Sequence, residues 1–106
     1  MTRFLVIVVA CLSAQAFAAG DADSGKLKSQ TCAACHGPDG NSPAGPDFPR
    51  LAGQYYDYLL KALRDYKSGA RKNPIMSGQV ASLNSQDMAD LAAFYSRQKG
   101  SLHVIR

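Results

Sequence analysis

The sequence lacks several features that would point to other classes of protein. It contains no glutamate, only two histidines and three cysteines, and no apolar run near the ~20 residues that a transmembrane helix needs. No segment is repeated, no linker divides the chain, and no alternating apolar and polar run predicts a β-strand. These absences argue against a membrane-spanning, repeated or multidomain protein. What remains is a chain of 106 residues, the length of one domain.

The composition suits a small globular domain that needs additional stabilisation. Apolar residues make up 46% of the chain, too many for a disordered protein. A domain of this length buries a smaller share of its surface than a larger one, so a disulfide, a metal or a buried cofactor usually compensates. Eight aspartates face twelve lysines and arginines, for a formal charge of +4, so the electrostatic field is modest.

The first 18 residues are predicted to be a secretory signal peptide. Arg3 precedes a nine-residue apolar run, and the small residues Ala16 and Ala18 then form an A-x-A cleavage site before a polar stretch. Cleavage between Ala18 and Ala19 would leave an exported domain of residues 19–106, with a formal charge of +3. We expect this domain to reside in the periplasm.

Two other interpretations of the leader compete. An apolar core helix would leave the basic start and the A-x-A site without a role. A lipoprotein signal ending before Cys11 would be shorter than the usual ~15–30 residues of a signal peptide. Cys11 is therefore expected to be removed with the leader, which leaves two cysteines in the mature domain.

Residues Cys32, Ala33, Ala34, Cys35 and His36 spell C-x-x-C-H, the attachment motif of c-type haem. Residues three apart lie on the same side of a helix, so both thiols can form thioethers with the vinyl groups on one edge of a porphyrin. The adjacent histidine can then ligate the iron. The motif predicts one haem c, bound covalently by Cys32 and Cys35, with His36 as the proximal ligand.

Three other interpretations of the motif compete. A thioredoxin-like C-x-x-C would adjoin a βαβ pattern, and the sequence has none. A zinc site needs four ligands, and only Cys32, Cys35, His36 and His103 are available, the last near a terminus where chains are poorly anchored. A disulfide across two residues is strained and leaves the histidine without a role.

The sixth iron ligand must come from two methionines or His103. Met88 falls on the apolar stripe of a predicted helix, which favours packing in the core. Met76 lies between Pro74 and Gly78 in a segment that we interpret as a loop. A loop methionine downstream of a haem motif is a natural ligand, although it could also anchor the loop to the core, and His/Met ligation raises the reduction potential. We expect Met76 to be the ligand rather than the terminal His103.

Three helices are predicted, each with a residue suited to cap one end. They span about residues 23–34, 54–68 and 85–99. The caps are Asp21 or Asp23 for the first helix, Gly69 for the second, and Asn84 with Asp87 for the third. Residues 37–53 contain four prolines and four glycines and are predicted to be an irregular loop around the proximal haem face. With so few elements, the haem must form the centre of the core.

With these motifs, the chain resembles the class I c-type cytochromes, and among them the small bacterial cytochromes of the c4 and c553 kind. The likeness is carried by Cys32 to Asn41, Phe48 to Gln54, Tyr58 to Leu60, Met76 to Gly78 and Asp90 to Tyr95. The resemblance implies an all-α class I cytochrome c fold, with three main helices and long loops around one haem. It also implies that the first and third helices cross near Gly25 and residues 91–95.

The resemblance adds residue roles. It places Met76 at the position of the axial methionine. It implies that the carbonyl of Pro49, or alternatively of Pro46, accepts a hydrogen bond from His36. One departure is that cytochromes c4 carry two such domains in tandem, whereas this chain has one.

The resemblance also implies a function, which is electron transfer and not catalysis. We expect a periplasmic carrier between a membrane reductase and a terminal oxidase or other acceptor. The alternatives are a haem-bearing subunit of a respiratory oxidase or dehydrogenase complex, and a haem enzyme or gas sensor with an open iron position. No nucleic acid and no transmembrane segment in the mature chain are expected, and the protein is expected to be a monomer or a weak dimer.

A band of basic residues offers a surface for such partners. Its members are Lys61, Arg64, Lys67, Arg71 and Lys72. The band would steer an acidic protein at low ionic strength. The alternative is an ordinary solvated helix face.

Overall fold

A computed structural model describes residues 2–9 and 19–100, which contain five helices and no strand. The helices are Ala22–Lys28 (α1), Gln30–His36 (α2), Tyr56–Ser68 (α3), Pro74–Val80 (α4) and Ser85–Ser96 (α5). The predicted all-α fold is thus confirmed. Residues 2–9 have no regular secondary structure. Within these two described stretches, no helix is long and apolar enough to cross a membrane.

Four residues that carried predictions lie outside the described part of the chain. They are Cys11, Ala16 and Ala18 of the expected cleavage site, and His103.

The predicted first helix is two helices that meet at Ser29. The Ser29 hydroxyl donates a hydrogen bond of 2.7 Å to the carbonyl of Lys26, and its backbone N–H donates to the same oxygen at 3.3 Å. Serine competes in this way for the hydrogen bonds that would continue a helix. The prediction of one helix over 23–34 was therefore wrong, and α2 continues as far as His36.

The predicted helix caps are present. The Asp21 carboxylate accepts a hydrogen bond from the N–H of Asp23 at 3.0 Å, which settles the choice between the two aspartates. Asn84 and Asp87 form a reciprocal capping box at the start of α5. Gly69 ends α3 in the left-handed conformation, with φ of 86°, which glycine adopts at no steric cost. α3 begins two residues later than predicted, and α5 ends at residue 96 rather than 99.

The segment that contains Met76 is a helix, so the prediction of a loop was wrong. The Asn73 side chain accepts hydrogen bonds from the N–H groups of Ile75 and Met76 at 3.0 and 3.2 Å. Pro74 follows at the first helical position, where its missing N–H costs nothing. Gly78 does not interrupt the helix.

α1 and α5 cross at a glycine. A Cβ atom added to Gly25 would lie 2.0 Å from the carbonyl oxygen of Asp90 and 2.8 Å from Cβ of Phe94. Only glycine therefore lets the two backbones come this close. The crossing that the resemblance implied is confirmed.

The core lies between α3 and α5. Leu59 and Leu60 of α3 pack against the face of α5 that includes Met88, Leu91 and Phe94. Met88 is only 4% exposed, which confirms the prediction that it belongs to the core.

Asp90 is a buried carboxylate that ties α1 to α5. It accepts hydrogen bonds from the Asp21 backbone N–H at 2.8 Å, from Lys28 Nζ at 2.6 Å and from Gln86 Nε2 at 2.7 Å. Lys28 also pairs with Asp87 at 2.9 Å. Burial of Asp90 opposes its ionisation and raises its pKa. The hydrogen bonds that it accepts have the opposite effect, the one from Lys28 most of all, and together they hold the pKa below the ordinary value.

Replacing Asp90 by asparagine is expected to lower the free energy of unfolding by about 2 kcal/mol near neutral pH, since charged hydrogen bonds contribute about 1.5–3 kcal/mol. A lowered carboxyl pKa stabilises the fold above its unfolded value of about 3.9. That contribution is lost as the pH falls through the folded-state pKa. The difference between wild type and D90N should therefore shrink below about pH 4, as urea unfolding at pH 7 and pH 3 would measure.

Asp65→Asn is the matched control for this experiment. Asp65 pairs with the largely exposed Lys61 within one helix, an arrangement worth about 0.3–0.5 kcal/mol. If D90N lowered the free energy of unfolding equally at both pH values, or by no more than D65N does, Asp90 would not be the stabilising charged acceptor described above.

Candidate functional site

A cavity of about 350 Å³ lies between α2, α3, α4 and the loop that precedes α3. Its wall includes the apolar side chains of Phe48, Leu51, Leu59, Leu63 and Ile75. A flat, largely apolar cofactor suits such a wall better than a hydrophilic ligand does.

α2 brings the cysteine and histidine motif to this cavity, but not all of its members line it. Cys32 and Cys35 are not joined by a disulfide. Cys35 and His36 line the cavity. Cys32 is not among the lining residues and instead packs against the buried cluster of α3 and α5. Burial raises the pKa of the Cys32 thiol.

His36 is buried, with 5% of its surface exposed. Its Nδ1 lies 2.8 Å from the carbonyl oxygen of Pro49, and Phe48 packs edge-on against the ring at 6.4 Å. Of the two prolines that the resemblance offered, Pro49 makes this contact and not Pro46. An Nδ1–H that donates to a carbonyl leaves Nε2 as the nitrogen with a free lone pair.

The loop that carries this proline is held by backbone hydrogen bonds. The N–H of Leu51 donates to the carbonyl of Gly40 at 2.9 Å, and the N–H of Gly53 donates to the carbonyl of Tyr95 at 3.0 Å. Gly40 has φ of 81°, and a Cβ atom added to it would lie 3.0–3.1 Å from atoms of Ala52, Tyr95 and Leu51. The loop without regular structure over 37–55 is thereby fixed against α5.

α4 brings Met76 to the same cavity, where it is half-buried. Ser77 Oγ lies 3.5 Å from the carbonyl oxygen of Tyr66, which links α4 to α3. Asn73 also lines the cavity and caps α4. It orients the helix that carries Met76, yet it is not among the residues predicted from the sequence. The dipeptide Asn73-Pro74 was the available signal, because asparagine and proline favour successive positions at a helix start.

The basic band is partly engaged within the protein. Lys61 Nζ lies 2.5 Å from a carboxylate oxygen of Asp65. Lys67 donates a hydrogen bond to the backbone carbonyl of Leu83, just before α5. The Arg71 guanidinium lies 4.8 Å from the ring centroid of Tyr66. Arg71 also lines the cavity. The band is therefore less available to a partner than its sequence suggests.

Comparison with known proteins defines the class of this site. Residues 22–97 match the family model for cytochrome c, and the chain belongs to the cytochrome c family. Membership implies covalently bound haem c.

Its relatives narrow the class further. The chain is 48% identical over 104 residues to cytochrome c4 of Pseudomonas aeruginosa, and the alignment covers 96% of this chain and 51% of the relative. It is 43% identical over 84 residues to cytochrome c-554(548) of Halomonas halodenitrificans, and that alignment covers 76% of this chain and 100% of the relative. The resemblance to cytochromes c4 is confirmed, although the chain spans about half their length.

A solved structure agrees with these relatives. The crystal structure of reduced recombinant cytochrome c4 from Pseudomonas stutzeri matches with a TM-score of 0.74 and 47% identity, over 79% of this chain and 48% of that one.

The residues fit the haem that the family implies. The two cysteines form no disulfide and lie three residues apart on α2, so both are available for thioethers. The histidine ring is oriented by a carbonyl, as ligating histidines commonly are. In residues 2–9 and 19–100, no three histidine, cysteine or acidic side chains gather as a separate metal site.

Proposed function

We propose that this chain is a monohaem c-type cytochrome that carries single electrons between redox proteins. The observation that carries the proposal is that one cavity receives His36 and Cys35 from α2 and Met76 from α4. A haem bound there would supply a one-electron ferrous/ferric couple. A histidine and a methionine, both provided by the protein, would complete the axial coordination of the iron. This favours an electron carrier over a haem enzyme or gas sensor, which needs an open position.

The surrounding residues would hold these two ligands in place. The Pro49 carbonyl fixes the ring of His36 and increases the basicity of the ligating nitrogen. Asn73 caps α4 and so sets the position of Met76. Cys32 and Cys35 would form the two thioethers. Held in this way, His36 and Met76 would keep the surroundings of the iron similar in both oxidation states, which suits rapid electron transfer.

The organisation of the chain follows from the leader pattern. Residues 1–18 act as a signal peptide, and residues 19–106 form the monohaem domain. Export through a cleaved leader places this domain in the periplasm, where haem c is attached. One domain of this kind corresponds to half of a cytochrome c4.

The partners we propose are redox proteins, with a membrane reductase as donor and a terminal oxidase or another protein as acceptor. Tyr58 and Ile75, which line the cavity, expose 52% and 56% of their surface. Arg50 and Arg71 lie at the same wall. An apolar centre with basic neighbours suits brief contact with an acidic surface, in a monomer or a weak dimer.

Covalent attachment tests the cofactor directly. We expect the mature protein, expressed with haem-attachment machinery, to retain its haem after denaturing electrophoresis and after acid–acetone extraction. The double variant C32S/C35S should lose all haem under both treatments, because no thioether can form.

Cys11→Ser is the matched control, since Cys11 is expected to leave with the signal peptide. The mature C11S protein should hold as much covalent haem as wild type. Extraction of all haem from the wild-type protein would contradict the proposal, as would covalent haem retained by C32S/C35S.

A further inference from the structure

The Tyr95 hydroxyl is a buried polar group without a hydrogen bond. Tyr95 is 4% exposed, and its hydroxyl is the one buried side-chain oxygen or nitrogen in the described residues for which no hydrogen-bond partner is found. Burying a hydroxyl without a hydrogen bond is unfavourable, because the group loses its bonds to water and gains none in return. Phenylalanine would fill the same space without that cost. A tyrosine here therefore points to a hydrogen-bond acceptor close to the phenol oxygen.

The surroundings of Tyr95 indicate where such an acceptor lies. The ring touches the loop at Gly40, where an added Cβ would lie 3.0 Å from Cδ1. Cys32 packs against the cluster that contains Tyr95. The pKa of Tyr95 is raised first by burial and then by Cys32, while Ser29 opposes the rise. The phenol therefore keeps its proton at physiological pH and can donate it.

Two acceptors compete for this proton. Ser29 Oγ already donates its own proton to the Lys26 carbonyl, so it could only accept from the phenol. The sulfur of Cys32 is the other candidate. As a free thiol, this sulfur can donate as well as accept a weak hydrogen bond, whereas as a thioether it has no hydrogen and can only accept. Haem attachment would thus leave the Cys32 sulfur as an acceptor only, beside the buried phenol.

We propose that Tyr95 is a positioning residue for the haem and donates a hydrogen bond to the thioether sulfur of Cys32. This inference rests on the proposed function, because it requires a haem on Cys32. Cys35 lines the cavity, whereas Cys32 packs against the buried cluster, so the bond would act on the Cys32 attachment only. It would fix that edge of the porphyrin against α5.

The bond has an electronic consequence. A donor to the sulfur withdraws electron density from the attached porphyrin and so favours the ferrous state. Loss of the donor in Tyr95→Phe is expected to lower the equilibrium constant for reduction about threefold, which is about 28 mV at 59 mV per tenfold for one electron.

The experiment measures the reduction potential of the covalently loaded protein, together with its thioether carbon–sulfur stretching frequency by resonance Raman spectroscopy. Y95F should shift both. Ser29→Ala should shift neither, and Tyr55→Phe, at an exposed position that does not line the cavity, is the matched tyrosine control. An unchanged potential and frequency in Y95F would overturn the proposal. A shift of the same size in S29A would overturn it as well, because the acceptor would then be the serine.

A second measurement covers the case in which Y95F does not load haem. Wild-type protein is unfolded and refolded in deuterium oxide, so that the phenol carries deuterium. The carbon–sulfur frequency should move relative to protein treated identically in ordinary water, and an unmoved frequency would overturn the inference. Wild-type protein without covalent haem would refute the proposed function itself, whereas a normally loaded wild type with unaltered Y95F refutes only the role of Tyr95.

Discussion

Replacement of Met76 by alanine is expected to turn a low-spin haem protein into a high-spin one. The weak far-red band of methionine–iron coordination should disappear from the oxidised spectrum. The reduction potential should fall by on the order of 0.1–0.3 V, since axial ligands set haem potentials over roughly 0.8 V and a thioether favours ferrous iron. Optical spectra of both oxidation states and a redox titration would measure these changes.

Met88→Leu is the control for the loss of Met76. Met88 lies in the core, 4% exposed, and leucine conserves its volume at a cost below about 1.5 kcal/mol. The M88L spectrum and potential should match those of wild type. A far-red band that survives in M76A, or vanishes in M88L, would show that a different group binds the iron.

Gly25→Ala is expected to destabilise the protein by about 3 kcal/mol, near the upper end for an overpacked core. The new methyl group would fall 2.0 Å from the carbonyl oxygen of Asp90. A backbone atom cannot turn aside as a side chain can, so α1 and α5 must separate. Separation would also disturb the hydrogen bond between the Asp21 backbone and Asp90. Urea unfolding of the loaded protein would measure the loss.

Gly78→Ala provides the opposite result in the same protein. Gly78 lies inside α4, and an added Cβ would meet nothing within 4 Å. Alanine there should stabilise the fold by about 0.4–1 kcal/mol, by reducing the freedom of the unfolded chain. Equal effects of the two substitutions would contradict the close crossing at Gly25.

Local signals predicted much of this structure. The capping box of Asn84 and Asp87, the stop at Gly69 and the core position of Met88 all depend on residues a few positions apart. The C-x-x-C-H motif is equally local, which is why the haem could be predicted before any fold was known.

The errors also have physical causes. Ser29 interrupts the first helix because its hydroxyl takes the Lys26 carbonyl, and serine is also compatible with a continuous helix. The segment around Met76 was predicted to be a loop because Pro74 and Gly78 both favour loops, whereas the Asn73 cap allows Pro74 to begin a helix. Both outcomes depend on competition between alternatives of similar energy.

Features that involve distant residues could not be predicted from spacing. The carboxylate of Asp90 receives the Lys28 ammonium from 62 positions away. The Tyr95 hydroxyl is seen to be buried and unpaired only in the folded protein, where α5 packs against α3 and the loop. The separation of Cys32 from the cavity that Cys35 lines likewise depends on how α2 is turned against the core.

The most direct test of the account is the absorption spectrum of the purified wild-type protein, oxidised and reduced, with and without carbon monoxide. Ligation by His36 and Met76 predicts low-spin spectra in both states, a far-red band in the oxidised protein and no change when carbon monoxide is added. A high-spin spectrum that shifts on addition of carbon monoxide would contradict it, since iron with an open position belongs to an enzyme or a sensor rather than to an electron carrier.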